Sequence, residues 1–312
     1  ALPGDRFELF LNGGPLGNST FHRQRFVHRA TNLGRALIRR RELKSLSFDV
    51  NIFLEDISPE FFGLARANTF IPNPEWCRRY MLQFLRGIDL VMCKTAHAVD
   101  IFGRGGNRTH LVGFTSEDRS NPDFDGDKTA GMLHIAGRSW QKGTGPLIQL
   151  WQRHPRWPTL TVVQNPNTYR QSQVRAVESP NINHVLERLD DSRLRDLQNS
   201  HRFHLCPTEV EGFGHCIVEA MSCAAVTLTT DAPPMNELIS PDRGVLVQYG
   251  GTRKQNMGTR YHVDPTDLER KIESMMSLDA GSCAAIGKRA RQWYEANDQR
   301  FRRELVRALT SL

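Results

Sequence analysis

The stretch at residues 208–231, TEVEGFGHCIVEAMSCAAVTLTTD, constrains the fold of this chain more than any other. It follows a short apolar strand pattern at 203–206, passes through a turn that holds Gly212 and Gly214, and continues as an apolar run that predicts a helix. A glycine turn at a helix N-terminus presents free backbone N–H groups, and the helix dipole adds about half a positive charge there. The pattern predicts a phosphate site, although glycines also occur in turns that only join a strand to a helix.

Two carboxylates flank this glycine turn, with seven residues between them. Glu211 lies directly before the turn, and Glu219 lies in the second turn of the predicted helix. Carboxylate oxygens accept hydrogen bonds from neutral hydroxyls, and sugar hydroxyls are the obvious partners beside a bound phosphate. The alternative interpretation is that both glutamates are solvated.

Two basic residues follow an earlier strand pattern at 132–136. Within the segment GRSWQKG, Arg138 and Lys142 are four residues apart. Both side chains can reach a diphosphate, the arginine with a fork of donors and the lysine as a point charge. The alternative is a pair of surface charges at the start of a helix.

The remaining patterns alternate between strands and helices, which predicts parallel sheets. A polar segment with proline and glycine, residues 115–129, has the composition of a linker. The length of 312 residues suffices for two domains. The predicted strands are 7–11, 49–54, 69–71, 89–93, 132–136, 160–163, 203–206, 226–229 and 244–247, and the predicted helices are 19–43, 58–66, 147–153, 191–198, 266–276 and 284–309, with one more from Ala96.

The amino-acid sequences of these motifs resemble those of a known family. EGFG, a helix with a second glutamate, EAM and then TDAPPMNELI resemble the donor-site signature of retaining glycosyltransferases of the GT-B type, close to family 4, and GRSWQKG resembles the GR…KG element of that family. The resemblance is strong over about residues 131–300 and moderate before them. It implies an α/β fold with two Rossmann-like domains that face each other across a cleft: an abbreviated acceptor domain at 1–120 and a donor domain at 121–295, with the terminal helix at 296–312 packed back on the first domain.

The resemblance also implies an activity. A nucleotide diphosphate sugar, either a UDP-sugar or a GDP-sugar, is expected to donate its sugar with retention of anomeric configuration. Its diphosphate is expected to lie against Arg138, Lys142 and the N–H groups near Phe213 and Gly214.

The two glutamates and a histidine complete this expected donor site. Glu219 is expected to accept hydrogen bonds from the ribose hydroxyls, and Glu211 from hydroxyls of the transferred sugar. His215, directly after Gly214 at the helix start, is placed to contact a phosphate or a sugar hydroxyl.

The first half of the chain matches the family less closely. A glycine-rich loop with Gly13, Gly14 and Gly17 corresponds to the loop that faces the cleft in relatives. Many relatives carry a histidine near the reacting sugar, and this chain has PNPEW at that point, so we expect Asn73 or Glu75 to face the cleft. The loop has the alternative interpretation of a connecting turn.

No metal or cofactor is expected from the sequence. Asp125 and Asp127 have the spacing of a DxD pair but lie in the linker, and His201, His204 and His215 lack the spacing of a zinc motif. We therefore predict a metal-independent site, in which the two basic side chains and the helix dipole take the role of a divalent cation.

Composition limits the choice of partners and compartment. The net charge of +7 favours an anionic partner, which is a nucleotide, an acidic glycan, nucleic acid or an anionic membrane surface. No aromatic-interleaved motif of an RNA-binding module is present, so a nucleic-acid partner is not expected. Six cysteines without a CxxC pair predict free buried thiols and a cytoplasmic protein, either free or peripheral to a membrane. The acceptor stays open among glycans, lipid-linked molecules and proteins. A nucleotide-sugar epimerase, a glycan phosphorylase and a non-catalytic scaffold on the same fold are the alternatives.

Overall fold

The computed structural model describes residues 48–124, 126, 128–137, 139–166 and 179–312, all of which belong to one compact unit, Phe48–Leu312. The predicted strand at 7–11, the loop with Gly13, Gly14 and Gly17, and the helix at 19–43 lie outside the described residues. So do Asp125, Asp127 and Arg138.

The first sheet has four parallel strands in the order β1, β2, β3, β4. They are β1 (Phe48–Leu54), β2 (Ala65–Ile71), β3 (Leu90–Cys93) and β4 (Thr109–Leu111). Two 3₁₀ helices, Pro59–Leu64 and Arg79–Gly87, and helix α1 (Ala96–Gly103) connect them. An aromatic core fills one side, with Phe70 and Phe102 completely buried in edge-to-face contact.

Two features of this sheet differ from the sequence prediction. The helix expected at 58–66 is a short 3₁₀ helix, and β4 and the second 3₁₀ helix were not predicted. A 3₁₀ helix has three residues per turn, so the 3.6-residue period of an α-helix does not reveal it.

The second sheet has six parallel strands in the order β10, β9, β8, β5, β6, β7. Its strands are β5 (Thr129–Gly137), β6 (Leu160–Gln164), β7 (Ile182–Val185), β8 (His201–Cys206), β9 (Val226–Thr230) and β10 (Val245–Val247). Its helices are α2 (Thr144–Arg153), α3 (Asp191–Ser200), α4 (His215–Ser222), α5 (Met235–Leu238) and α6 (Pro265–Met276). Every residue of β6 and β9 is buried, as expected for strands covered on both faces.

The strand order of the second sheet fixes where a ligand can bind. From β5 the chain proceeds to β6 and β7 on one side, whereas β8, β9 and β10 lie on the other side. The order therefore reverses between β5 and β8. In open parallel sheets this reversal leaves a crevice at the carboxyl ends of the two strands, and ligands bind there.

Helix α7 (Ala280–Thr310) is the longest described element, with 31 residues. Its first half packs on the second sheet through Ala290 and Tyr294. Near its end, Ala308 lies in a buried cluster with Leu90 and Met92 of β3. One continuous helix therefore contacts both sheets.

Two antiparallel strands, β11 (Tyr249–Gln255) and β12 (Gly258–Val263), form a hairpin that pairs with neither sheet. The backbone N–H of Met257 at its tip donates to Pro74 O at 3.2 Å, and the Met257 side chain packs against the core of the first sheet. Midway along β12, the ion pair between Arg260 and Glu209 joins it to the segment after β8. The hairpin bridges the two sheets.

Two sequence expectations can be checked on the fold as a whole. The six cysteines form no disulfide, and five of them are buried. Among the described helices, none combines the length and the apolar character needed to cross a bilayer.

Candidate active site

The turn after β8 lies at the crevice between β5 and β8. It ends at Gly214, whose φ of 115° is unfavourable for residues with a Cβ, and α4 begins at the next residue. No side chain caps this helix. As in any α-helix, the backbone N–H groups of the first turn lack i−4 acceptors within the helix, although Ile217 N donates to Gly214 O at 3.1 Å. The turn therefore places an uncapped helix N-terminus at the position where the sequence predicts a phosphate site.

The turn after β5 packs directly against this glycine turn. The backbone N–H of Glu209 donates to Gln141 O at 2.9 Å, which joins the two turns. Lys142 forms an ion pair with Glu211 Oε1, and the Lys142 Nζ also lies 3.5 Å from Cys216 Sγ. The side chains of Lys142 and Glu211 are only 17% and 12% exposed, so the pair is largely shielded from water.

The charge on Lys142 is strongly favoured. Burial alone would lower the pKa of Lys142, but the neighbouring Cys216 and Glu211 outweigh burial and raise the pKa above its ordinary value. Glu211 also accepts a hydrogen bond of 2.8 Å from Thr208 Oγ1, which fixes the carboxylate. A permanently charged ammonium therefore stands at the helix N-terminus.

Phe213 and His215 lie on the side of the turn that faces the coil after β4. Phe213 is buried, and its ring is in edge-to-face contact with Phe114 at 5.6 Å between centroids. His215 is exposed, and its Nδ1 lies 2.8 Å from Ser116 Oγ. The ring nevertheless packs against Phe114 and Phe213, with 5.6 Å between centroids, and this partial desolvation, together with the positive charges of Lys94 and Lys142, lowers the pKa of His215. A neutral imidazole beside the turn can donate one hydrogen bond and accept another.

Glu219 is held by a chain of polar contacts that begins at Arg119. The Arg119 guanidinium donates to Gln198 Oε1 at 2.8 Å, and Gln198 Nε2 donates to Glu219 Oε2 at 3.1 Å. Arg119 is only 3% exposed and also pairs with Asp191. Burial raises the pKa of Glu219, whereas the bond from Gln198 opposes that shift.

The sequence prediction missed Arg119, because it lies in the segment read as a solvated linker. The structure buries Arg119 and Ser116 of that segment. A single arginine among acidic and polar residues carries no sequence signal of burial. The partner of its guanidinium, Gln198, lies 79 residues away.

The first sheet contributes a polar cluster from the loop after β2 and from the end of β3. Lys94 Nζ donates to Asn73 Oδ1 at 2.7 Å, and Asn73 Nδ2 donates to Glu55 Oε1 at 2.6 Å. A Cβ placed on Gly212 would lie 2.1 Å from Asn73 Oδ1, so this cluster touches the glycine turn. Glu75, two residues after Asn73, is 4% exposed. The structure thus brings Asn73 beside the predicted donor turn.

The remaining histidines near the turn are structural. His204 is buried, its Nε2 lies 3.0 Å from Gln198 O, and burial lowers its pKa to about 3. His201 Nε2 lies 3.2 Å from Thr161 Oγ1. Over residues 48–312, apart from the gaps given above, no three His, Cys, Asp or Glu side chains are arranged to hold a metal ion.

Comparison with solved structures identifies the fold. The pneumococcal O-GlcNAc transferase GtfA, solved with UDP and GlcNAc, superposes with a TM-score of 0.60 at 12% identity over 89% of this chain and 60% of that one. A trehalose-6-phosphate synthase superposes with a TM-score of 0.67 at 12% identity over 93% of this chain and 80% of that one. The UDP-forming α,α-trehalose-phosphate synthase from Burkholderia xenovorans, solved with glucose-6-phosphate, gives 0.69 at 11% identity over 92% and 78%.

These similarities define a GT-B glycosyltransferase fold, as the sequence predicts. Residues 127–293 match the profile of the family described as glycosyl transferases group 1, and the chain belongs to that family. The chain spans about 60% of the length of GtfA. No curated protein sequence matches it significantly.

Proposed function

We propose that this protein transfers a sugar from a nucleotide diphosphate sugar to an acceptor hydroxyl, with retention of anomeric configuration and without a metal ion. The observation that carries the proposal is the meeting of Lys142, Glu211 and the N-terminus of α4 at the reversal point of the second sheet. A cation, an array of N–H donors and a carboxylate within one crevice suit a diphosphate joined to a sugar.

The donor diphosphate would lie on the N–H groups at the start of α4 and against the Lys142 ammonium, with Arg138 as a second cation. Lys142 already carries its charge before a ligand binds, because its pKa is raised. It would stabilise the negative charge that develops on the departing diphosphate. The two basic side chains and the N-terminus of α4 would thus take the role of a divalent ion.

Glu211 and Glu219 would hold the two sugars of the donor. Thr208 and Lys142 orient Glu211 toward the turn, where it would accept hydrogen bonds from hydroxyls of the transferred sugar. Gln198 and Arg119 fix Glu219, which would accept hydrogen bonds from the ribose. Uracil is the favoured base, since GtfA was solved with UDP and the Burkholderia synthase is described as UDP-forming, with GDP as the second choice.

The transfer step would need no dedicated base. The bond from the anomeric carbon to the phosphate oxygen breaks, and the acceptor oxygen forms its bond on the same face of the sugar. The acceptor proton passes to the departing phosphate oxygen, so charge and atoms balance. The acceptor would approach from the first sheet, which forms part of the domain that we assign to residues 1–120.

A thermal-shift screen tests this proposal. The protein is titrated with UDP, GDP, ADP, CMP and their sugar conjugates, each in EDTA or in magnesium. We expect stabilisation by one nucleotide family in both conditions, and loss of most of that shift in Lys142→Met. Lys288→Met, an exposed change on α7, serves as the matched control.

The outcomes separate the alternatives. Stabilisation only in magnesium would contradict the metal-independent site. No shift with any nucleotide at millimolar concentration would reject the transferase and leave the non-catalytic scaffold.

A further inference from the structure

Glu75 carries a buried carboxylate oxygen that the rest of the described chain leaves unsatisfied. The residue is 4% exposed, and its Oε2 accepts no hydrogen bond from any described residue. A buried polar atom without a partner costs about 1–3 kcal/mol. Such an atom beside a candidate active site is available to accept a hydrogen bond from a bound ligand.

The neighbouring donors are engaged elsewhere. The Lys94 ammonium donates to Asn73 Oδ1, and the Asn73 amide donates to Glu55. The charged groups that act on Glu75 are Glu211 from the second sheet and Lys94 and Glu55 from the first. Two of these three are carboxylates, and the one cation, Lys94, does not donate to Oε2.

The backbone around Glu75 is fixed by the tip of the hairpin. Asn256 Nδ2 and Gln255 Nε2 both donate to Glu75 O, at 2.6 and 3.3 Å. Met257 N donates to Pro74 O, and a Cβ placed on Gly258 would lie 3.2 Å from Glu75 Cα. A loop held by three hydrogen bonds keeps its orphaned oxygen in one place, which is the condition for a preorganised contact.

We propose that Glu75 Oε2 accepts a hydrogen bond from a hydroxyl of the transferred sugar, which is thereby held between Glu75 of the first sheet and Glu211 of the second. This inference rests on the proposed function and adds to it a sugar-selecting residue. The buried position of Oε2 implies that the sugar enters an opened cleft and that closure then removes it from water.

The contact makes sugar binding dependent on pH. Burial, together with the negative charges of Glu211 and Glu55, raises the pKa of Glu75 to about 7, although its own backbone N–H and Lys94 oppose the shift. A hydroxyl donates its strongest hydrogen bond to the ionised form. The affinity for the sugar therefore rises as pH increases through 7, and below pH 7 binding releases a proton from Glu75.

Isothermal titration calorimetry tests the proposal with UDP and UDP-glucose, and with GDP and GDP-mannose as the second pair. Titrations at pH 6.5 in two buffers of different ionisation enthalpy count the protons released. We expect the wild type to release a proton with the nucleotide sugar in excess of that with the bare nucleotide. We expect Glu75→Gln to bind the nucleotide as the wild type does, to lose at least tenfold in affinity for the sugar conjugate, and to lose the excess proton.

Two further variants keep the result decisive. Glu187→Gln removes an exposed carboxylate and should behave as the wild type. Glu75→Met fills the site without a polar atom and should lose the same sugar affinity, should Glu75→Gln fail to fold. Nucleotide binding with equal sugar selectivity in wild type and Glu75 variants would overturn the inference alone, whereas no nucleotide binding by the wild type would overturn the proposed function as well.

Discussion

Asn73 of the first sheet and Gly212 of the second are in such close contact that a Cβ on Gly212 would lie 2.1 Å from Asn73 Oδ1. The same oxygen accepts the hydrogen bond from Lys94, and the amide of Asn73 donates to Glu55. Asn73 therefore cannot withdraw without losing two hydrogen bonds that involve charged groups. The glycine is needed for close approach, in addition to the turn that it helps to form.

Gly212→Ala should destabilise the protein by about 1–3 kcal/mol, because the added methyl group overpacks the contact with Asn73. Urea denaturation measures the change in the free energy of unfolding. Gly251→Ala is the matched control, since a Cβ there meets no atom within 4 Å. Equal stability of Gly212→Ala and wild type would mean that the two sheets do not approach as closely as described.

Lys142 and Glu211 should show strong energetic coupling. Lys142→Met or Glu211→Gln alone leaves a largely buried charge without its partner and should cost about 3 kcal/mol. The double variant should cost much less than the sum, which a double-mutant cycle in urea measures. Additive losses would show that the two side chains do not pair.

The coupling between Lys142 and Glu211 should not change between pH 6 and 9. The pKa of Lys142 is raised above 10.5, so the stabilisation is fully present below that pH and disappears only as pH rises through the folded-state pKa. The coupling energy at pH 6 and at pH 9 should therefore agree.

Glu75→Gln should stabilise the protein increasingly as pH rises. The pKa of Glu75 is raised from 4.5 to about 7, so the folded wild type is penalised as pH increases from 4.5 and fully above 7. The penalty amounts to about 3 kcal/mol, which the glutamine removes. The difference in unfolding free energy between Glu75→Gln and the wild type should increase from pH 4.5 to pH 6 and again to pH 8. A difference that is the same at all three pH values would contradict a buried titrating carboxyl.

Cys216 should be the first cysteine to react with iodoacetamide at neutral pH. The hydrogen-bonded Cys206 thiol lowers the pKa of Cys216; burial opposes this effect and the Lys142 ammonium reinforces it. The other five cysteines are buried, whereas Cys216 is partly exposed. Peptide mass spectrometry should find the first label on Cys216. The Cys216→Ser variant should lose the fast phase of the labelling reaction. Early labelling of another cysteine would contradict this assignment.

The sequence predicted the features that depend on local pattern. Buried strands such as 226–230 read as apolar or β-branched runs, and the strand, glycine turn and helix around Gly214 follow from neighbouring residues. The helices at 265–276 and 280–310 were predicted at 266–276 and 284–309 from their helical patterns, and the structure adds Asp264 and Asp279 as their N-caps. These signals lie within one element, so a single sequence suffices to read them.

Contacts between distant residues were not predictable in the same way. Lys142 and Glu211 were each assigned to a ligand, and the structure pairs them across 69 residues. The hairpin was missed because β11, YGGTRKQ, is mostly exposed and carries no buried alternation. The sequence led us to expect Asn73 or Glu75 at the cleft, but it could not show that Glu75 is buried. That burial depends on contacts with residues 255–258, which lie far along the chain.

Helix α7 gives the two sheets a shared mechanical element. At 1.5 Å per residue, its 31 residues extend about 46 Å, from contacts with the second sheet near Ala290 to the last turns beside β3. An α-helix of this length resists bending, so we expect any relative rotation of the sheets to change the contacts of Ala308 with Leu90 and Met92. The last dozen residues of this helix therefore tie the first sheet to a helix that is anchored on the second.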